Sequence, residues 1–146
     1  MLNLKIKKLN ELAKLPTQAT AGSAGWDLYA TSEKIVFEGL ITYIEYGTGL
    51  TFEIPAGHVG MIFPRSSISS NTTLMLSNSV GLIDADFRGE VTARFKSSTI
   101  GVSRRYKIGE RIAQLVIMPY PVVQLEEVQE LDKTDRGAGG YGSSGK

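Results

Sequence analysis

Asn78-Ser79-Val80-Gly81-Leu82-Ile83-Asp84-Ala85-Asp86-Phe87-Arg88-Gly89-Glu90 packs an amide, the carboxylates of Asp84 and Asp86, an aromatic ring and a guanidinium into thirteen residues. Gly81 and Gly89 punctuate the stretch, and Val80, Leu82 and Ile83 anchor it, so it is no loose polar loop. An anchored turn crowded with ionisable groups suits a binding or catalytic site. It equally suits a surface β-hairpin whose charges face water, because structural ion pairs also gather near turns. Its own residues leave both readings open.

On either side the chain reads as short strands. Leu74 and Leu76 lead in; Val91, Ala93 and Phe95 alternate with Thr92, Arg94 and Lys96 beyond it. That period of two is expected of a half-buried strand. It recurs at Leu2, Leu4 and Ile6, and at Leu50, Phe52 and Ile54. Pro55-Ala56-Gly57-His58 breaks the latter run, and residues 59–63 resume it, which predicts a hairpin with His58 on its surface. In residues 24–30, Trp26, Leu28 and Ala30 fall on one side, with Trp26 expected in the core, and Asp27 and Tyr29 on the other. Residues 35–37 and 41–44 flank Gly39 as two more strands. Ile112 and residues 115–118 form a more continuous apolar run, as in a strand buried on both faces. Residues 122–128, set off by Pro119 and Pro121, are a further strand candidate. The one helix expected is a turn or two over residues 65–70, with Pro64 at its first position. Many short strands without a convincing amphipathic helix predict an all-β sandwich or barrel.

Composition narrows the chemistry. At 146 residues the chain is most simply one domain, and 42% hydrophobic with 21% charged residues is ordinary for a globular protein. A net charge of +1 argues against a broad footprint on duplex nucleic acid. With no cysteine and only His58, thiolate zinc sites, cysteine nucleophiles and multi-histidine metal sites are excluded. A metal here needs oxygen ligands, pointing to magnesium or calcium, shared with a ligand's phosphates. Lys5, Lys7 and Lys8 interrupt the apolar residues near the start, unlike a signal peptide, and no apolar run approaches the ~20 residues of a membrane span. A soluble, cytoplasmic protein is expected, without membrane or nucleic-acid partners.

From Asp132 onward core-forming side chains almost vanish. Residues 136–146 set Arg136, Tyr141, Ser143 and Ser144 among glycines. Such a segment suits a disordered end, or a flap whose backbone N–H groups approach an anionic ligand. Residues 140–146 also match G-x-x-x-x-G-K, but that phosphate loop needs a preceding buried strand, a following helix and a Ser or Thr after the lysine. The sequence stops at Lys146, and the match is set aside.

Together these segments resemble the homotrimeric dUTP diphosphatases (dUTPases), a family marked by five ordered motifs. Residues 24–30, 64–67, 81–90, 109–116 and 136–145 match them in order. The resemblance implies a β jelly-roll catalytic domain over residues 1–131 and a mobile arm over 132–146 that closes on the active site. It implies a homotrimer with sites at subunit interfaces, hydrolysing dUTP to dUMP and pyrophosphate. Uracil in DNA is thereby limited and dUMP supplied for dTMP synthesis. Mg2+ is implied as cofactor, held mainly through substrate phosphates and water, with no direct protein ligand. Asp84 would activate the attacking water. Asn78, Gly81, Leu82, Ile83 and Phe87 would hold the nucleoside, Phe87 replacing a commoner tyrosine. Arg65, Ser66, Ser67 and Gln114 would bind phosphates. In the arm, Arg136 would reach the γ-phosphate, Tyr141 would stack on uracil, and Gly142, Ser143 and Ser144 would meet the terminal phosphate. Asp27, Asp86 and Arg111 would be scaffold, Asp27 and Arg111 as a carboxylate–guanidinium pair. Two alternatives share the fold: a dCTP deaminase-like enzyme, and a nucleotide-binding regulatory jelly roll without catalysis.

Overall fold

The computed structural model describes residues 2–39, 41–97 and 104–140. Among them the chain forms ten strands and one short helix in three antiparallel sheets. A ribbon pairs β1 (Lys5–Lys8) with β5 (Leu50–Glu53). A second sheet runs in the order β2 (Trp26–Tyr29), β10 (Arg111–Pro119), β6 (His58–Pro64) and β8 (Gly81–Ile83). A third runs β3 (Ser32–Glu38), β4 (Ile41–Gly47), β9 (Thr92–Ser97) and β7 (Leu74–Leu76). These sheets close no barrel; the architecture is a jelly-roll-like sandwich.

Alternation explains the core. Ala93 and Phe95 of β9 are buried while Thr92, Arg94 and Lys96 face out. Leu28, Leu50, Phe52, Ile112 and Leu115 join them from the other sheets. Tyr46, Phe95 and Tyr106 pack as a cluster with ring centroids 5.8–6.1 Å apart, geometry favoured by the aromatic quadrupole. β10 lies between β2 and β6; Ile112, Ala113 and Leu115 are buried, but Val116 and Ile117 are half-buried and Met118 is 44% exposed, so the burial on both faces expected of its apolar run holds only over its first half.

Four other expectations change. The runs 50–54 and 59–63 form no hairpin: β5 pairs with β1, while β6 pairs with β10 and β8. Pro55 has no N–H to continue a ladder, so the turn carries the chain from one sheet to another. Pro64 ends β6, opposite Ala113, and the helix α1 (Ser66–Asn71) starts two residues later, with Arg65 as its extended N-cap. Trp26 is 41% exposed, because it opens an edge strand beyond the cover given to Leu28. Residues 122–128 form no strand. Val122 and Leu125 are more than 90% exposed, and among the described residues the segment pairs with no strand.

Candidate active site

The opening stretch is an excursion between sheets. The chain leaves β7 in the third sheet, adds the three residues of β8 to the edge of the second, and returns to β9 in the third. It is therefore not a simple hairpin, since β8 pairs with β6 and not with β9. The entry is a tight turn: Val80 N–H donates to Asn78 O at 2.6 Å across Ser79, whose φ is +61°. That left-handed conformation is uncommon outside glycine and marks stored strain. The exit is clamped. Thr51 Oγ1 donates to Arg88 O (2.9 Å), Gly49 N–H to a Glu90 carboxylate oxygen (2.7 Å), and Thr48 Oγ1 to Val91 O (2.7 Å).

This frame encloses a cavity of about 200 Å³, lined by Asn78, Gly81, Leu82, Ile83, Asp84 and Phe87 together with Ile62, Glu90, Val91 and Thr92. β8 is an edge strand, so among the described residues no strand pairs with its outer row of N–H and C=O groups. Phe87 lies across Gly89, where a Cβ would come within 2.5 Å of the ring. Asp84 also borders a wider depression with His58, Leu82, Asp86 and Tyr120; Asp86 lines that depression but not the smaller cavity. The two carboxylates thus face different surroundings.

A second concavity, of about 320 Å³, lies beside α1 and is lined by Arg65, Ser67 and Arg111, with Tyr29, Arg104, Tyr106 and Glu110 among the rest. Its organiser is Asp27, whose side chain is 10% exposed: one oxygen accepts from Arg65 Nε at 2.7 Å, the other from an Arg111 Nη at 3.1 Å. Both guanidiniums are thereby aimed by one carboxylate. Arg65 also donates to Ser67 Oγ at 3.2 Å. Gln114, opposite Asp27 in the ladder, donates to Pro64 O at 3.0 Å. Gly25 is required there, because a Cβ would sit 2.6 Å from the Gln114 amide oxygen.

The model of the dUTPase family matches residues 11–145. The chain belongs to the dUTPase family. It is 42% identical to a deoxyuridine 5′-triphosphate nucleotidohydrolase of Corynebacterium glutamicum, over 98% of this chain and 95% of that one. Among solved structures it resembles a variant dUTPase of Staphylococcus bacteriophage 80α with dUpNHpp (TM-score 0.80, 28% identity, both chains wholly covered). It also resembles a variant dUTPase of phage phi11 of S. aureus that coordinates a structural Mg(II) ion (TM-score 0.73, 25% identity, 88% and 98% covered).

Within this dUTPase chain Asn78, Gly81, Leu82, Ile83, Asp84 and Phe87 line one cavity and Arg65, Ser67 and Arg111 the other, with no lining residue in common, while Gln114 lines neither. Ser66 begins α1, exposed, and lines neither. Arg136 turns back so that its Nε donates to Gly139 O at 2.9 Å, away from both. Tyr141, Gly142, Ser143 and Ser144 lie outside the described residues. Glu90, Arg104 and Tyr106 were not foreseen. Glu90 stood in the quoted stretch, but its partner Gly49 is forty-one residues away, and nothing local signals such a contact.

Proposed function

We propose that the chain is a dUTP diphosphatase, hydrolysing dUTP to dUMP and pyrophosphate, with sites assembled where three copies meet. The observation that carries this reading is the edge strand β8, without a strand on its outer side among the described residues, lining one cavity with Asn78, Phe87 and Asp84. Uracil presents alternating acceptors and a donor, which alternating backbone N–H and C=O groups with one amide complement. The Phe87 ring stacks on deoxyribose and offers a 2′-hydroxyl no partner. Asp84 accepts a proton from the water that attacks the α-phosphorus, the bond to the bridging oxygen breaks, and pyrophosphate departs. Arg65, Ser66, Ser67 and Gln114 of a neighbouring copy offset the phosphate charge, and the arm of another copy brings Arg136, Tyr141, Gly142, Ser143 and Ser144. The separation of the two cavities in one chain supports shared sites.

Magnesium fits this donor set in one way. Among the described residues there is no cluster of three or more His, Cys, Asp or Glu, and both Asp27 oxygens already accept from guanidiniums. An ion held mainly by phosphate oxygens and water suits such a site. When bound it supplies charge neutralisation on the phosphates. The expected setting is the cytoplasm; among the described residues no helix is long and apolar enough to cross a membrane.

The test is Asp84→Asn. Binding of a non-hydrolysable dUTP analogue should stay within a few-fold of the parent's, and turnover should fall by roughly 10²-fold or more. Near-normal turnover would exclude Asp84 as the base.

A further inference from the structure

The stretch from Asn78 to Glu90 holds one charged group that the proposed chemistry leaves idle, the guanidinium of Arg88. Arg88 lines neither of the two concavities that Asp84 borders. Its side chain folds back over its own turn instead. Nη1 donates to Ala85 O at 2.7 Å and to Phe87 O at 2.9 Å. The same turn is closed by Phe87 N–H, which donates to Asp84 O at 3.2 Å. Arg88 is itself fixed at the backbone, its carbonyl accepting from Thr51 Oγ1 at 2.9 Å. Among the described residues Arg88 makes no salt bridge, and no other side chain donates to a carbonyl of residues 84–87.

What the turn carries gives this contact its weight. Asp84 and Phe87 are its first and last residues, and both line the cavity of about 200 Å³. Ile83 before it and Val91 beyond it are 6% and 4% exposed, whereas residues 84 and 86–90 are all exposed. Packing therefore holds the ends of the excursion and leaves its tip to hydrogen bonds. A four-residue turn closed by one long backbone bond opens readily. A charged donor shared by two carbonyls holds better than a neutral one. One of its bonds acts on the residue that bears the ring, the other on the residue that follows the Asp84 carboxylate. Because water competes at so exposed a site, the gain lies in geometry more than in stability.

We propose that Arg88 is a positioning residue for the hydrolysis, its guanidinium fixing the turn that presents the Asp84 carboxylate and the Phe87 ring. The roles of those two residues rest on the dUTP reading; the holding of the turn does not. The test compares the full chain with Arg88→Met, which keeps an unbranched stem and loses every donor. With magnesium and dUTP, Arg88→Met should lose roughly tenfold to a hundredfold in kcat, with KM within about threefold of the parent's and the melting temperature unchanged. Its preference for dUTP over UTP in kcat/KM should fall as well, since a ring no longer held in place leaves room for a 2′-hydroxyl. Guanidinium chloride at a low, non-denaturing concentration should restore part of kcat to Arg88→Met, and potassium chloride at equal concentration should not. Hydrogen exchange at the Phe87 N–H, measured without nucleotide, should be about tenfold faster in Arg88→Met. A kcat and a dUTP preference equal to the parent's overturn the proposal, as does unchanged exchange at Phe87. A loss of activity that follows a lowered melting temperature, without rescue by guanidinium, makes Arg88 merely structural and overturns it too. If the parent leaves dUTP intact, the dUTP reading falls, and the exchange at Phe87 still decides whether Arg88 holds the turn.

Discussion

Asp27 does the most for its size. It holds the guanidiniums of Arg65 and Arg111 with its two oxygens, and its side chain is 10% exposed. Asp27→Asn removes the charge that holds two like-charged groups together. We expect a loss of about 2 kcal/mol in urea unfolding at fixed protein concentration and a raised KM for nucleotide. Unchanged unfolding and KM would mean that Arg65 and Arg111 need no such anchor. Gly89 is constrained differently: its Cα lies against the Phe87 ring, and an added Cβ would approach to 2.5 Å. Gly89→Ala must displace the ring, costing roughly tenfold to a hundredfold in kcat/KM with the fold retained. A kcat/KM equal to the parent's would show that the ring's placement is not critical.

At the scale of elements, strands were legible and their partners less so. The period of two in Val91, Ala93 and Phe95 and the apolar run of β10 are properties of neighbouring residues, and both strands form. That β5 leaves β6 for β1, and that β8 joins β6 rather than β9, depends on contacts between distant residues. The site shows the same division. Asn78, Asp84 and Phe87 cluster in sequence and share a cavity, whereas Tyr106 and the Thr48 clamp are fixed by folding alone. Thr48 is 1% exposed, donates to Val91 O and accepts from Leu50 N–H. Thr48→Val removes both side-chain bonds, leaving Val91 O only the Thr48 N–H at 3.3 Å, and should cost about 1–3 kcal/mol, read as a lower melting temperature with raised KM; an unshifted melt would deny the clamp its role. The arm is expected to be separable. Truncation before Arg136 should leave a folded assembly with severely reduced turnover, and an unfolded product by circular dichroism would make the arm structural instead.

For the whole molecule, the aromatic centre sets an alkaline limit. Burial, the largest cause, pushes the Tyr46 phenol from 10.0 up to about 12, opposed by the Tyr106 N–H it accepts. Above pH 10 the unfolded chain releases that proton while the folded chain keeps it. The contribution is thus complete below pH 10 and lost as pH rises toward about 12. Unfolding followed across that window should show falling stability, with a shallower slope in Tyr46→Phe; equal slopes would relocate the titration. Exposed Val122, Val123 and Leu125 beyond the last strand, and two cavities that do not meet in one chain, both suit an assembly that completes itself between copies. The most direct measurement offers the purified protein, with magnesium, dUTP beside dTTP, dCTP, dATP, dGTP and UTP, and follows pyrophosphate and ammonia. Pyrophosphate should appear from dUTP with little from any other. An untouched dUTP pool, or ammonia released from dCTP, would contradict the account.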